Sequence, residues 1–387
     1  MKIVHVIVSP FTEGMTYQDN LLPEAQKKNG HDVTFITSCK AWDGKNLIEV
    51  QPCDTRMENG VRLIRLKVKT ILGSKLLSDK VRYLNELENY LNELLPDFIM
   101  LHGPQTASTK IICKYIGAHP KARFVIDSHA DSHNSATNFV SKYILHHLYY
   151  RYYVNMALKY AERFYYVAPE VKTFILNNYK IKEDKLELLP LGGVILDDEE
   201  YKSIRSKRRC ELGVSKDEIV FIHTGKITAE KRTKLLLKAF EKVNNPRAKL
   251  IIIGSPEADI KTAIESAEKG NKNIVFLGWK AGNDLREYLC AADVYAQPGT
   301  QSATLQNAIC ARCAIMVYPY PSHEILMKGN GYYVKDEKEI LEAINEICEN
   351  PSNLKKMQSA SQLLAENLLD YKMQAEKVLE IKVEQKT

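Results

Sequence analysis

The sequence predicts an α/β protein built from two doubly wound parallel-sheet domains. Apolar runs of strand length alternate with longer segments of helical period, which is the pattern of a parallel sheet covered by helices. That series stops at Leu191-Gly192-Gly193-Val194 and then begins again. The chain of 387 residues also exceeds what one hydrophobic core supports.

In the first half the expected strands cover residues 2–8, 32–37, 61–68, 98–102, 123–128, 163–167 and 186–190. In the second they cover 219–224, 249–253, 274–278, 294–297, 314–318 and 331–334. The domains are therefore expected at 1–190 and 195–370, each Rossmann-like and facing the other across a cleft. Asp197-Asp198-Glu199-Glu200 reads as the solvated exit from the junction. A helix-period segment at about 372–387 has no strand after it and is free to pack back on the first domain or the second.

Composition excludes several classes. With 45% hydrophobic and 26% charged residues the chain is a folded protein and not a disordered one. No apolar run approaches the ~20 residues that span a bilayer. Met1-Lys2 leads directly into a strand without the pattern of a signal peptide, so a cytoplasmic protein is expected. The eight cysteines are scattered, as reduced core residues are. Cys310 and Cys313 form a C-x-x-C pair with no second ligand pair, and no metal site is expected there. Residues 1–190 hold 25 Lys and Arg against 20 Asp and Glu, while the remainder holds 29 against 28, so the surplus charge belongs to the first half. A weak, localised surplus suits an anionic substrate or a membrane surface, not a nucleic-acid track.

In open parallel sheets ligands sit beyond the carboxyl ends of the strands, so the loops there carry the chemistry. After residues 219–224 comes Gly225-Lys226-Ile227-Thr228-Ala229-Glu230-Lys231. Gly225 would admit close backbone approach, and the two lysines would neutralise a diphosphate at a helix start. Taken alone, this segment reads equally well as a solvated basic turn. Other strand ends carry Gly254 and Gly278-Trp279. After residues 294–297 comes Pro298-Gly299-Thr300-Gln301-Ser302-Ala303-Thr304, a small polar loop before a helix. Thr300 or Ser302 would cap that helix, and the amides of Ser302, Ala303 and Thr304 would form an anion site.

These segments, in this order, resemble the C-terminal domain of the family 4 GT-B glycosyltransferases. Gly225-Lys226-Ile227 with Lys231 is similar to the family's G-R-L-x-x-x-K element, with Lys in place of Arg. Ala308-Ile309 with Ala314-Ile315-Met316-Val317 is similar to its A-M-A-x-G-x-P-V-I run, and Gly329-Asn330-Gly331 with Val334 to its closing G-x-G-x-x-V. The resemblance implies a GT-B fold. Lys226 and Lys231 would hold the donor diphosphate as catalytic groups. Gly225, Gly254, Trp279, Gly299, Thr300, Gln301, Ser302, Ala303 and Thr304 would line the donor site. Most members carry two glutamates, on the donor sugar and the ribose. Here Asn307 takes the second place and the loop holds no acid, so Asn307 or Gln306 would contact the ribose. The P-G-T-Q-S form resembles a subgroup of bacterial surface-polysaccharide transferases.

The first half resembles the family through Gly30-His31-Asp32-Val33. Its first loop carries Glu13 and Gly14, and the following helix starts at Gln18-Asp19-Asn20, where Asp19 and Asn20 would cap or contact the acceptor. His129, at a strand end beside Asp127 and Asp131, matches the histidine that contacts the transferred sugar in the family. His102 ends another strand as a second candidate. Residues 62–82 hold seven Lys and Arg against one acid, and 139–160 are rich in Tyr, His and Leu, which suits peripheral contact with an inner membrane.

The resemblance implies transfer of a hexosyl unit from a nucleoside diphosphate sugar, a UDP-sugar first, to a hydroxyl of a glycan or polyprenyl-phosphate-linked acceptor. Retention of configuration, no metal and no cofactor beyond the co-substrate are expected, as in polysaccharide biosynthesis. The alternatives are a non-catalytic sugar-nucleotide-binding subunit and another GT-B enzyme such as a sugar-nucleotide epimerase.

Overall fold

The computed structural model of the chain describes residues 1–15, 17–43, 46–132, 135–280 and 282–380. It divides into two units. Met1–Pro190 and the chain from Gln374 form unit 1, and Leu191–Met373 forms unit 2.

Unit 1 contains β1 (Lys2–Ile7), β2 (Asp32–Ser38), β3 (Lys40–Asp43), β4 (Asn46–Glu49), β5 (Cys53–Arg56), β6 (Arg62–Leu66), β7 (Phe98–His102), β8 (Arg123–Ser128), β9 (Arg163–Tyr166) and β10 (Leu186–Leu188). Eight of them form one sheet in the order β10-β9-β8-β7-β1-β2-β6-β5. All neighbours are parallel except β5, which runs antiparallel to β6 at the edge. The strands β3, β4 and β5 are additions to the expected set. Each has four residues and is mostly solvent-facing, so none carries the apolar run by which a buried strand is read.

Alternate residues of the sheet face two layers. Val4, Val6, Ile64, Ile99, Leu101 and Phe124 pack on one side with Leu91, Ile112, Val154 and Phe174. Each such side chain contributes roughly 1.5–3 kcal/mol on burial. The other side includes Phe35 and His5, whose rings stack, and helix Gln18–Lys28 supplies Gln26 to it. Helix Tyr371–Leu379 belongs to the segment expected at 372–387, whose residues 381–387 lie outside the described residues. Arg123 donates to the Leu379 carbonyl, and Arg163 donates to those of Lys377 and Glu380, anchoring the returning chain on unit 1.

Unit 2 contains β11 (Ile219–Ile227), β12 (Ala248–Pro256), β13 (Ile274–Phe276), β14 (Val294–Gln297), β15 (Ala314–Val317) and β16 (Gly331–Tyr333). They form an all-parallel sheet in the order β13-β12-β11-β14-β15-β16. Ile219 and Phe221 face one core layer, and Val220 and Ile222 face the other. One expectation changes here. Gly225 and Lys226 are not loop residues but the paired end of β11, opposite Gly254 and Ser255 of β12. The acidic stretch is solvent-exposed, as expected, and it begins a helix. Asp197 caps helix Asp198–Glu211 by accepting the amides of Glu199 and Glu200, and acids in a first turn complement the helix dipole.

Candidate functional site

In unit 2 the strand order reverses between β11 and β14, so the loops that follow these two strands flank the crevice where open α/β sheets bind ligands. The segments singled out in the sequence are these two loops, and they touch. The Thr300 amide donates to the Glu230 carbonyl at 3.0 Å. Lys231 Nζ donates to the carbonyls of Thr300, at 2.9 Å, and Gln301. Gly299 lies so close that a Cβ there would stand 2.2 Å from Glu230 O and 2.4 Å from Lys231 C. A Cβ on Gly254 would stand 2.0 Å from Gly225 O, and one on Gly225 would stand 3.6 Å from Ser302 Oγ. At Gly299 and Gly254 a side chain would strike backbone, whereas at Gly225 the space is ordinary and the φ of +118° is what favours glycine.

Lys226 is exposed, whereas Lys231 is half-buried. Burial pushes the Lys231 ammonium down to about 8, with Glu230 opposing the shift. The helix after the second loop is Thr304–Cys310, and its cap position is Ala303, not Thr300 or Ser302. Ser302 still serves the turn, since its Oγ accepts the Thr304 amide at 3.4 Å. Trp279 is 58% exposed, next to Gly278, whose carbonyl accepts the Gly254 amide. Asn307 Oδ1 would lie 3.0 Å from a Cβ on Gly193, so this side chain reaches the main chain at the start of unit 2.

Three supports of this site were not read from the sequence. His223 bonds the Ala296 carbonyl through Nδ1 at 2.7 Å and Thr233 Oγ1 through Nε2 at 2.9 Å, tying β11 to β14 and to helix Thr233–Glu241. Burial pushes this histidine down to about 4, so it is neutral, donating from Nδ1 and accepting at Nε2. The buried Tyr295 hydroxyl sits among Thr224, Ser302 and Thr304, and burial raises its pKa. Gln297 donates Nε2 to the Thr300 carbonyl, while its Oε1 has no partner among the described residues. His223 and Tyr295 act across strands that only the fold makes adjacent, and Gln297 holds its own loop without any pattern that marks it.

In unit 1 the order reverses between β1 and β7. Glu13 and Gly14 lie in the loop after β1. Glu13 Oε1 is 3.7 Å from Arg65, whose guanidinium also donates to the carbonyls of Ser38 and Phe11. Gly14 has φ +73° in open space. Asp19 and Asn20 do not cap helix Gln18–Lys28. Tyr17 holds the cap position, and Asn20 Nδ2 donates to the Thr12 carbonyl. Gln18 is buried with neither polar side-chain atom partnered among the described residues. Asp131 is half-buried, its carbonyl accepting the Ser135 amide.

Behind His129 stands a polar row on adjacent strands. Gln26 meets His5 Nε2 at 2.6 Å, His5 Nδ1 meets His102 Nε2 at 3.0 Å, and His102 Nδ1 meets Asp127 Oδ2 at 2.8 Å. His129 Nε2 lies 3.6 Å from the same carboxylate oxygen. Burial opposes charge on Asp127, but the histidines prevail and hold it below the usual carboxylate range. Burial likewise opposes charge on His129, whose ring is 43% exposed; Asp127 and Asp19 outweigh it and raise the pKa. His102, Asp127 and His129 offer ligand atoms within 4.8 Å of one another. Both His102 nitrogens are engaged within the row, so a metal there would have to break it.

Asp127→Asn is expected to lower the His129 pKa, because that carboxylate is the main group opposing burial. In the native protein the raised value contributes stability that is fully present below pH ~6.5 and is lost as pH rises through the folded value. The variant should lose that slope in urea unfolding measured across this window. A retained slope would place its origin elsewhere.

A model of the glycosyl transferases group 1 matches residues 205–363, and a model of glycosyltransferase family 4 matches residues 17–192. Among curated proteins none matches the chain. Solved structures share its fold. HepE of Anabaena, in complex with UDP, aligns with a TM-score of 0.67 at 18% identity over 98% of both chains. Sucrose-phosphate synthase of Thermosynechococcus elongatus aligns at 0.67 and 15% identity over 97% of both. WaaG, a glycosyltransferase involved in lipopolysaccharide biosynthesis, aligns at 0.62 and 14% identity over 97% of this chain and 99% of its own.

Proposed function

This chain belongs to the family 4 (group 1) glycosyltransferases of the GT-B fold, and from that premise we propose that it transfers a hexosyl unit from a nucleoside diphosphate sugar. UDP is the nucleotide favoured, since HepE is seen with UDP and with UDP-glucose. The acceptor is a hydroxyl of a glycan or lipid-linked glycan.

The observation that carries this reading is the junction of the two loops of unit 2. Lys231 bridges them, exposed Lys226 stands one residue before the end of β11, and the main-chain amides of residues 302–304 lie where the second loop meets its helix. Such an array stabilises charge that develops on a departing diphosphate, which is electrostatic catalysis by preorganised donors. The bond from the anomeric carbon to the diphosphate oxygen breaks as the acceptor oxygen bonds the same carbon. The leaving phosphate oxygen takes the acceptor proton, and the configuration is retained. On unit 1, His129 would contact the transferred sugar, with Asp127 fixing its ring. Glu13, Gly14, Gln18 and Asp131 would meet the acceptor. In unit 2, Trp279 offers a flat exposed face for the base, and Asn307 stands where the family places its ribose glutamate.

Lys226→Ala should weaken UDP binding by at least about tenfold in calorimetry, the loss expected when a charged partner of a phosphate is removed. An unchanged dissociation constant would sink the phosphate-site assignment. Binding of UDP-, GDP- and ADP-sugars without turnover on any polyprenyl-phosphate-linked acceptor would favour the non-catalytic subunit instead.

A further inference from the structure

Unit 1 exposes aliphatic side chains in two clusters that lie side by side. One is the loop and helix start around Leu72 and Leu76, which are 91% and 78% exposed. The other is the wide helical run Val140–Tyr150, whose hydrogen bonds are of the i to i+5 type. That geometry places residues four or five apart on one side. Phe139, Ile144 and Leu148 share this spacing, and Phe139 and Leu148 are 72% and 68% exposed. Tyr150 Oη donates to the Lys80 carbonyl at 3.0 Å, so helix Lys75–Val81 and the wide helix are neighbours. Lys40 pairs with Asp79, and the Trp42 amide donates to Thr12 Oγ1. A path of contacts therefore leads from the loop after β1 to both clusters.

The charge around these side chains has one sign. Residues 59–85 contain a single acid, Asp79, which Lys40 neutralises. Residues 132–161 contain none. Lys67, Lys69, Lys75, Lys80 and Lys142 are exposed among the apolar positions. A nucleic acid would gain nothing from leucines at the tips of such a surface, and the core of a protein interface is depleted of lysine. Aliphatic and aromatic tips rimmed by lysines match the headgroup boundary of an anionic bilayer. Among the described residues no helix is long and apolar enough to cross a membrane, so the contact would be at the surface.

We propose that this face of unit 1 docks on an anionic phospholipid bilayer, with Leu72, Leu76, Ile144 and Leu148 entering the headgroup boundary and the surrounding lysines meeting lipid phosphates. The proposal rests on the lipid-linked-acceptor reading only for what the docked protein would reach. Binding to lipid itself requires no turnover.

The test is sedimentation of the full chain with vesicles, and UDP binding in parallel reports on unit 2. The wild type should bind phosphatidylglycerol-containing vesicles and not pure phosphatidylcholine, and high salt should weaken that binding. Leu72→Ser, Leu76→Ser, Ile144→Ser and Leu148→Ser combined should reduce vesicle binding by at least about tenfold, since buried methylenes carry the anchoring. UDP affinity should be unchanged. Lys69→Glu with Lys75→Glu, at exposed positions that leave the core untouched, should also release the protein. The proposal is overturned if the wild type binds neither vesicle at low salt, or if both variants bind as the wild type does. A self-association that the serine variant abolishes, with no vesicle binding, would also overturn it and assign the face to a second copy of the chain.

Discussion

Lys231→Ala is expected to lower turnover of the sugar nucleotide by roughly 10²–10³-fold, the loss typical of removing one preorganised donor to developing negative charge. The native side chain already holds the second loop through the carbonyls of Thr300 and Gln301, so its removal also frees that loop. Its pH behaviour is distinctive. With the ammonium pushed down to about 8 from 10.5, donor affinity should fall as pH rises through about 8, because the cation is lost. Stability should move the other way. Between about 8 and 10.5 the unfolded chain holds a proton that the folded chain has given up, so folding gains as pH rises. Lys231→Arg, charged throughout, should flatten both trends. Steady-state kinetics and calorimetry across this range check the pair of opposing slopes. Unchanged turnover in the alanine variant would remove Lys231 from the diphosphate site.

Gly299→Ala is expected to cost about 1–3 kcal/mol of stability in unit 2, the range for overpacking, and to weaken UDP binding by at least tenfold. The added carbon would stand 2.2 Å from Glu230 O and 2.4 and 2.5 Å from Lys231 C and Cα. All three are backbone atoms, so no side-chain rotation relieves the clash. The second loop must lift, and the Thr300–Glu230 and Lys231–Thr300 bonds go with it. The midpoint of urea unfolding should drop with the slope preserved. A variant with native midpoint and affinity would mean that the two loops work apart.

Much of this was legible because parallel α/β sheets write their core strands as apolar runs. The stretches at 98–102, 123–128 and 294–297 fall where the sequence placed them, since each is buried on both faces. The loop after β14 was legible through composition, because close backbone approach demands glycine at Gly299. The ends of β11 and β12 were not. Glycine and lysine read as loop, yet Gly254 is what lets the ladder continue beside Gly225. The row His5–His102–Asp127 stayed hidden for another reason. His102 and Asp127 were marked separately near their strand ends and His5 was not, and only the order β1-β7-β8 sets the three in line. The short strands β3, β4 and β5 carry no buried apolar run and left no signal.

The return of the chain to unit 1 bears on how the protein is made. Gly193 N donates to Leu369 O and Tyr371 N donates to Gly193 O, so the outgoing and returning segments clasp where the chain enters unit 2. Helix Tyr371–Leu379 then gives Arg123 and Arg163 their carbonyl partners and seats Ala375 and Val378 in fully buried positions. A ribosome delivers these residues only after the whole of unit 2. Until they arrive, two arginines lack those acceptors and apolar surface on unit 1 is uncovered. The first half of this protein therefore waits, during synthesis, as an open intermediate of the kind chaperones recognise.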